Sequence, residues 1–166
     1  GVSRGAGSYN RFTLDDAKKL QEESILCTAV SPIVSAGGQI IGGDGNWNSA
    51  ISGVSANYLE IRAWDMASGE FFTDRHERSK AKVCVIGMTV KDELFPDSDP
   101  IGERIRINNT PFQVLGVLAE KGQDARGRDQ DDTILAPSTT VLYRLKGGRY
   151  INYIMASAQS VETIDA

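Results

Sequence analysis

The stretch ERIRINNTPFQVLGVL, residues 103–118, decides the fold class of this chain. Between Glu103 and Ile107 charged side chains alternate with isoleucines, which is typical of a half-buried strand. Residues 111–118 form a second apolar run. The AsnAsnThr between the two runs supplies asparagines, which tolerate the left-handed backbone of a tight turn. The stretch therefore predicts an antiparallel β-hairpin.

The sequence downstream of the hairpin alternates between irregular and regular patterns. Residues 120–131 are polar and contain glycine, which predicts a long loop. We expect a strand at 133–136, a helix that Pro137 and Ser138 open and that runs to about residue 145, and a strand at 149–158. Residues 161–166 are expected to begin another helix.

Upstream of the hairpin, strands and helices follow one another without a regular βαβ repeat. Thr13, as an N-cap, and the acidic residues that follow it predict a first helix over 13–23. The other predicted elements are strands at 28–35, 47–54 and 83–87, a hairpin or flexible loop at 37–45, a turn-bearing segment at 64–72, and short helices at 56–61 and 89–95. This order predicts an α+β fold with mostly antiparallel pairing.

Composition excludes several classes of protein. The 166 residues are 40% hydrophobic and 24% charged, with a net charge of -4. No basic stripe is present, which argues against nucleic acid as a partner. The longest apolar runs, 83–88 and 114–119, are far shorter than the roughly 20 residues of a membrane-spanning helix. We therefore expect a soluble chain.

Two further features of composition concern the chain's N-terminus and its thiols. Residues 1–12, rich in Gly and Ser, predict a flexible segment, and residues 1–9 do not resemble a signal peptide. Cys27 and Cys84 lie in apolar, strand-like surroundings, which favours buried free thiols over a disulfide.

Motifs for enzyme chemistry are missing from the sequence. The only histidine, His76, is flanked by charges, which favours a solvated loop residue over a catalytic base or metal ligand. The glycine-rich stretch 42–48 has Asn48 where the dinucleotide fingerprint needs glycine, and no GlyLysSer or GlyLysThr follows it. We predict no catalytic residue and no cofactor, and we interpret the stretch as a flexible hairpin tip.

The densest group of carboxylates contains Asp124, Asp129, Asp131 and Asp132. Its spacing loosely resembles a calcium loop, but the required glycine and distal glutamate are missing, and Arg126 and Arg128 neutralise it locally. We therefore predict a structural loop rather than a metal site. In this loop Asp129, Gln130, Asp131 and Asp132 bond to backbone amides before the strand at 133.

Several ordered motifs together resemble one family, the extracytoplasmic domains of MacB-type ABC transporter permeases. They are LFPDSDPIGERIRINNTPFQVLGVL (94–118), DQDDTILAP (129–137), GVSANYLEIRAWDMASGEFF (53–72) and VSPIV (30–34). Ile61 and Glu70 depart mildly from the family pattern. The resemblance covers roughly residues 12–157.

The resemblance implies a two-lobed domain within residues 13–166. A membrane-proximal lobe of βαβ type would carry an inserted, mostly antiparallel β lobe at about residues 80–137. The parent would be an inner-membrane permease that works as a dimer with an ABC ATPase, and this domain would face the periplasm. Gram-negative members couple ATP-driven motion to a periplasmic membrane-fusion adaptor and an outer-membrane channel. The domain itself would be non-catalytic and, when isolated, monomeric.

Two alternatives stay open on the sequence. A related permease domain could serve lipoprotein release or signalling rather than efflux. A soluble ligand-binding or sensor domain is the second, with Trp47, Tyr58 and Trp64 lining its pocket.

Overall fold

The computed structural model describes residues 11–23 and 27–158. Within them the chain forms strands and short helices in an irregular order. The strands are β1 (Phe12–Thr13), β2 (Cys27–Gly42), β3 (Gly45–Val54), β4 (Met66–Gly69), β5 (Val83–Ile86), β6 (Arg104–Ile107), β7 (Thr110–Leu118), β8 (Thr133–Pro137), β9 (Tyr150–Ile151) and β10 (Tyr153–Ala158). The helices are α1 (Leu14–Glu23), α2 (Tyr58–Arg62), α3 (Asp74–Arg78), α4 (Met88–Leu94) and α5 (Ser138–Thr140), which continues as a π-helix, Val141–Lys146.

Most of these strands belong to one mixed sheet. Its order within the described residues is β10-β2-β3-β8-β5-β7-β4, and β6 pairs with both β2 and β7. The pairs β3 with β8 and β5 with β7 are parallel, and the other pairs are antiparallel. The predicted α+β class with mostly antiparallel pairing is confirmed. The division into two lobes stays a prediction.

The hairpin predicted from residues 103–118 is present as β6 and β7. Ile107 pairs with Thr110, so Asn108 and Asn109 form a two-residue turn. Their φ angles are 49° and 72°, in the left-handed region that asparagine tolerates. Ile105 and Ile107 are buried while the arginines between and before them are exposed, as the alternation predicts.

The glycine-rich stretch forms the closing part of a second, longer hairpin. Strand β2 runs beyond the predicted end at Ser35 to Gly42, and its pairing with β3 is unbroken from Val34. Gly43 has φ 51°, and a side chain there would meet the Leu94 carbonyl oxygen at 2.1 Å. The amide of Asp44 donates to that same oxygen at 2.8 Å. The tip, predicted to be flexible, therefore lies against the C-terminal end of α4.

The apolar core lies on both faces of the sheet. Neighbouring strand residues alternate between two buried clusters: Cys84 and Ile86 belong to one, and Val85 between them belongs to the other. This is the consequence of side chains pointing to opposite faces along a strand. Cys84 is a buried free thiol, as predicted, and burial raises its pKa. The side chain of Cys27 lies outside the described residues.

Four predicted elements differ from the structure. The segment predicted as a turn at 64–72 contains the strand β4, which pairs with β7. The predicted helix at 138–145 is an α-helical turn followed by a π-helix. The strand predicted at 149–158 is interrupted at Asn152, which separates β9 from β10. His76 lies in the helix α3 rather than in a loop.

The N-terminal segment meets the C-terminal part of the chain in a small separate sheet. Phe12 pairs with Ile151 and Thr13 with Tyr150, which joins β1 to β9. Residues 1–10 and the predicted helix at 161–166 lie outside the described residues. No helix among the residues described is long and apolar enough to cross a membrane.

Candidate functional site

The acidic loop, residues 119–132, connects β7 to β8 and contains the predicted site residues. It is irregular, with an isolated bridge between Gln123 and Asp129. Asp124 turns the outer part of the loop, because its Oδ1 accepts hydrogen bonds from the amides of Arg126 and Arg128 at 2.8 and 2.9 Å. These amides lower the pKa of the Asp124 carboxyl, Arg128 most strongly.

Asp131 is the buried centre of the loop. Its side chain is only 3% exposed. Its Oδ1 accepts from the amide of Lys121 at 2.8 Å, and its Oδ2 accepts from the amide of Gly122 at 2.9 Å. Its own amide donates to Asp129 Oδ1 at 2.9 Å. Asp131 therefore joins the start of the loop to its end.

Gln130 and Asp132 bond to side chains rather than to the predicted backbone amides, and Asp129 bonds to one donor of each kind. Asp132 Oδ1 accepts from Trp47 Nε1 and from Ser49 Oγ, both at 2.9 Å. Asp129 Oδ2 accepts from the hydroxyl of Thr89 at 2.6 Å. Gln130 Oε1 accepts from Arg62 Nη2 at 3.3 Å. The structure thus brings all four residues together around hydrogen-bond donors, and their contribution to stability stays a prediction.

A shallow cleft of about 220 Å³ lies beside the loop. Tyr58 and Trp64 line it with Arg62, whose guanidinium lies 5.9 Å from each ring. Trp47, predicted to share a pocket with these two, does not line it. Its ring packs against the core cluster on the other face of the sheet, and its indole N–H is bound to Asp132. The structure does not bring the three aromatic residues into one pocket.

A larger groove of about 810 Å³ was not expected from the sequence. It lies between α1, α3 and the start of α5, and Glu77 is its most enclosed carboxyl. Glu77 Oε1 accepts from the amide of Ser138 at 2.9 Å and from its hydroxyl. Burial raises the pKa of Glu77 against the opposing effect of these bonds. No local motif marks the groove, because its walls come from segments far apart in sequence.

His76 has a structural position at the start of α3. Its Nδ1 accepts from the amide of Thr73 at 3.0 Å, which completes a capping box. Within residues 11–23 and 27–158, no three Cys, His or carboxylate side chains are placed to share a metal ion.

Comparison with known proteins identifies the family of this chain. Residues 1–166 match the family of MacB-like periplasmic core domains. The chain belongs to this family. It is 42% identical over 161 residues to a macrolide export ATP-binding/permease protein MacB of Syntrophobacter fumaroxidans, covering 96% of this chain and 22% of that protein. The MacB of Bdellovibrio bacteriovorus is 41% identical over 154 residues, covering 93% and 24%.

Solved structures show the same fold. The periplasmic region of MacB from Actinobacillus actinomycetemcomitans has a TM-score of 0.80 at 21% identity, covering 94% of this chain and 70% of that one. The extracellular domain of the transporter YknZ from Gram-positive bacteria has a TM-score of 0.79 at 18% identity, covering 94% and 78%. The chain is thus a MacB-like periplasmic core domain of an ABC-type transporter permease. It spans about a quarter of the length of the MacB relatives.

Proposed function

We propose that this MacB-like domain is the periplasmic part of an inner-membrane permease and transmits ATP-driven motion to the export of a substrate. In this proposal the membrane helices and the ABC ATPase generate the movement. A periplasmic membrane-fusion adaptor and an outer-membrane channel receive it. The family match over residues 1–166 carries the assignment. The relatives combine ATP binding and permease in one named protein, which supports an ATPase outside this domain.

The packing of the domain suits a part that transmits movement. Both faces of the sheet carry a buried apolar cluster. Within the described part of the chain, no buried side-chain nitrogen or oxygen lacks a hydrogen-bond partner. Close-packed interiors have low compressibility and pass strain on rather than absorbing it. A domain built this way responds to a push at one end by moving as a body.

Deletion and replacement of the domain in the full-length permease test this proposal. We expect that removing residues 11–158 leaves basal ATP hydrolysis in place and abolishes both its stimulation by the adaptor and macrolide export. Replacing the segment with the matching domain of the Syntrophobacter relative is the control, and it should restore export. Export that persists after the deletion would contradict the proposal.

The isolated chain is proposed to have no enzymatic activity and no strong self-association. We expect no ATP hydrolysis by the purified chain, and we expect it to sediment as a monomer at micromolar concentration. Its charged surface segments are of the kind depleted from stable interface cores. Loss of the membrane tether also removes the high effective concentration that would hold two such domains together. A tight dimer at that concentration would show an obligate interface within the domain.

A further inference from the structure

A second group of charged residues differs from the acidic loop, because among the described residues no carboxylate forms an ion pair with it. We call it the cationic strip, and it consists of Arg11, Lys80, Arg144, Lys146 and Arg149. All five side chains are exposed. From residue 133 to residue 158 the sequence contains no aspartate or glutamate. This segment therefore carries a positive charge, from Arg144, Lys146 and Arg149, in a chain whose net charge is -4.

Contacts between neighbours hold the strip together. The guanidinium groups of Arg11 and Arg149 each lie 5.2 Å from the centre of the Tyr150 ring, and Arg149 Nη2 donates to the Tyr150 hydroxyl at 3.0 Å. The pairing of β1 with β9 brings these residues together. Two like charges thus share one aromatic ring.

The other end of the strip is built around the π-helix. Arg144 Nε donates to the carbonyl of Lys80 at 2.8 Å, and Lys80 Nζ lies 4.9 Å from the centre of the Tyr143 ring. Tyr143 is 54% exposed. Lys146 Nζ donates to Asn152 Oδ1 at 2.7 Å, which connects this end to the β9 side.

No carboxylate of residues 11–23 or 27–158 forms an ion pair with the strip. Among the described residues the ion pairs are Lys19 with Asp15 and Lys91 with Asp92, and no strip residue takes part. Asp15 and Asp16 are the acidic residues nearest to Arg11 in sequence. Asp15 is the partner of Lys19, and Asp16 Oδ2 accepts a hydrogen bond from the amide of Thr13 at 2.9 Å. Exposed cations next to tyrosine rings, of which Tyr143 is exposed and Tyr150 is half-buried, fit an anionic surface.

We propose that the cationic strip binds the anionic phospholipid headgroups of the membrane that anchors the permease. Lys and Arg side chains near an anionic membrane are attracted to lipid phosphates, and tyrosine rings favour the headgroup region. The chain as a whole is acidic and would be repelled from such a surface, so attraction requires a local positive face. The inference depends on membership of a permease family and does not depend on adaptor or substrate.

Vesicle sedimentation of the 166-residue chain tests the proposal. One vesicle contains phosphatidylcholine alone, and the other contains phosphatidylcholine and phosphatidylglycerol at about 3:1. We expect binding only to the second vesicle, and we expect added salt to weaken it. The triple variant R144Q/K146Q/R149Q should bind about 100-fold more weakly, from the usual gain per basic residue at an anionic surface.

A matched triple variant distinguishes binding by the strip from a general effect of the chain's positive charge. R104Q/R106Q/R126Q removes the same charge from other exposed positions and should bind like the parent chain. Unchanged thermal melting of both variants shows that they fold. The proposal is overturned if phosphatidylglycerol does not increase binding, if the two triple variants lose binding equally, or if soluble poly-glutamate binds the parent chain as well as the vesicles do.

Discussion

The acidic loop and the cationic strip are both charged and largely irregular, yet they use their charges in opposite ways. In the acidic loop the carboxylates accept hydrogen bonds from amides, hydroxyls and an indole. In the strip the cations stay exposed and contact rings or carbonyl groups, and no carboxylate in the described part of the chain lies within ion-pair distance. We therefore predict that charge in the loop supports the fold, while we propose that charge in the strip binds a partner.

The largest expected effect is at the centre of the acidic loop. We expect Asp131→Ala to lower the free energy of unfolding by about 3 kcal/mol, because it leaves the partly buried amides of Lys121 and Gly122 without their acceptor. Chemical denaturation measures this change. Asp97→Ala, at an exposed carboxylate, is the control. Equal stability of the two variants would contradict the structural role of the loop, as would stoichiometric calcium binding by the parent chain in calorimetry.

A smaller effect is expected at Asp132, which is only partly buried. Asp132→Ala removes the acceptor of Trp47 Nε1 and Ser49 Oγ, and we expect a loss of about 1.5 kcal/mol. The same variant should shift the fluorescence of Trp47 toward longer wavelength. Asp132→Asn keeps an acceptor oxygen and should retain most of the stability. If Asn and Ala destabilise equally, the carboxylate does not act through these bonds.

Neutralising the strip should hardly change stability. For R144Q/K146Q/R149Q we expect a change in the free energy of unfolding within about 0.5 kcal/mol, as is usual for exposed side chains. Urea titration of the variant beside the parent chain measures it. A loss as large as that of Asp131→Ala would show that the strip supports the fold. The strip and the acidic loop would then not differ in how they use their charges.

The smallest effect concerns Tyr150. Hydrogen bonds from Arg149 and then Arg11 lower the pKa of the Tyr150 phenol. Its ordinary value is about 10, so the resulting stabilisation is present above that pH, disappears as pH falls through the folded-state pKa, and is absent at neutral pH. Titration of labelled tyrosine by NMR should show Arg149→Gln raising the Tyr150 pKa. An unchanged pKa would exclude the contact between these side chains.

Local patterns predicted the parts of the molecule that local chemistry determines. The turn at Asn108 and Asn109 was predictable because few residues accept its backbone. The extension of β2 was not, because Gly37 and Gly38 suggest a loop when considered alone. In the structure the Asn108 side chain donates to the Gly37 carbonyl at 3.1 Å, and a side chain at Gly38 would collide with that amide. Glycine there leaves room for a contact with a residue 70 positions away in sequence.

The two charged regions also differ in how far local sequence predicts them. The acidic loop was predictable because its carboxylates and their amide partners lie mostly within one segment, residues 119–132. The cationic strip escaped prediction because it combines Arg11, Lys80 and residues 144–149, which only the folded chain brings together. Its one local signal is the absence of acidic residues from 133 to 158. The role of His76 was also missed, since a charged neighbourhood does not reveal a helix cap.

Strand β2 is long and pairs with different strands along its length, so it can connect movements in distant parts of the sheet. It contains 16 residues, and at about 3.3 Å per residue it is roughly 53 Å long. Its N-terminal half is bound to β10, and its far end is bound to β6, with β3 along the second half. Such a strand connects two distant parts of the sheet, and a rigid tilt of about 5° would move one end by about 5 Å relative to the other. A small rotation beside β10 would thus reach the β2–β3 tip, at the other end of the strand, as a displacement of about 5 Å.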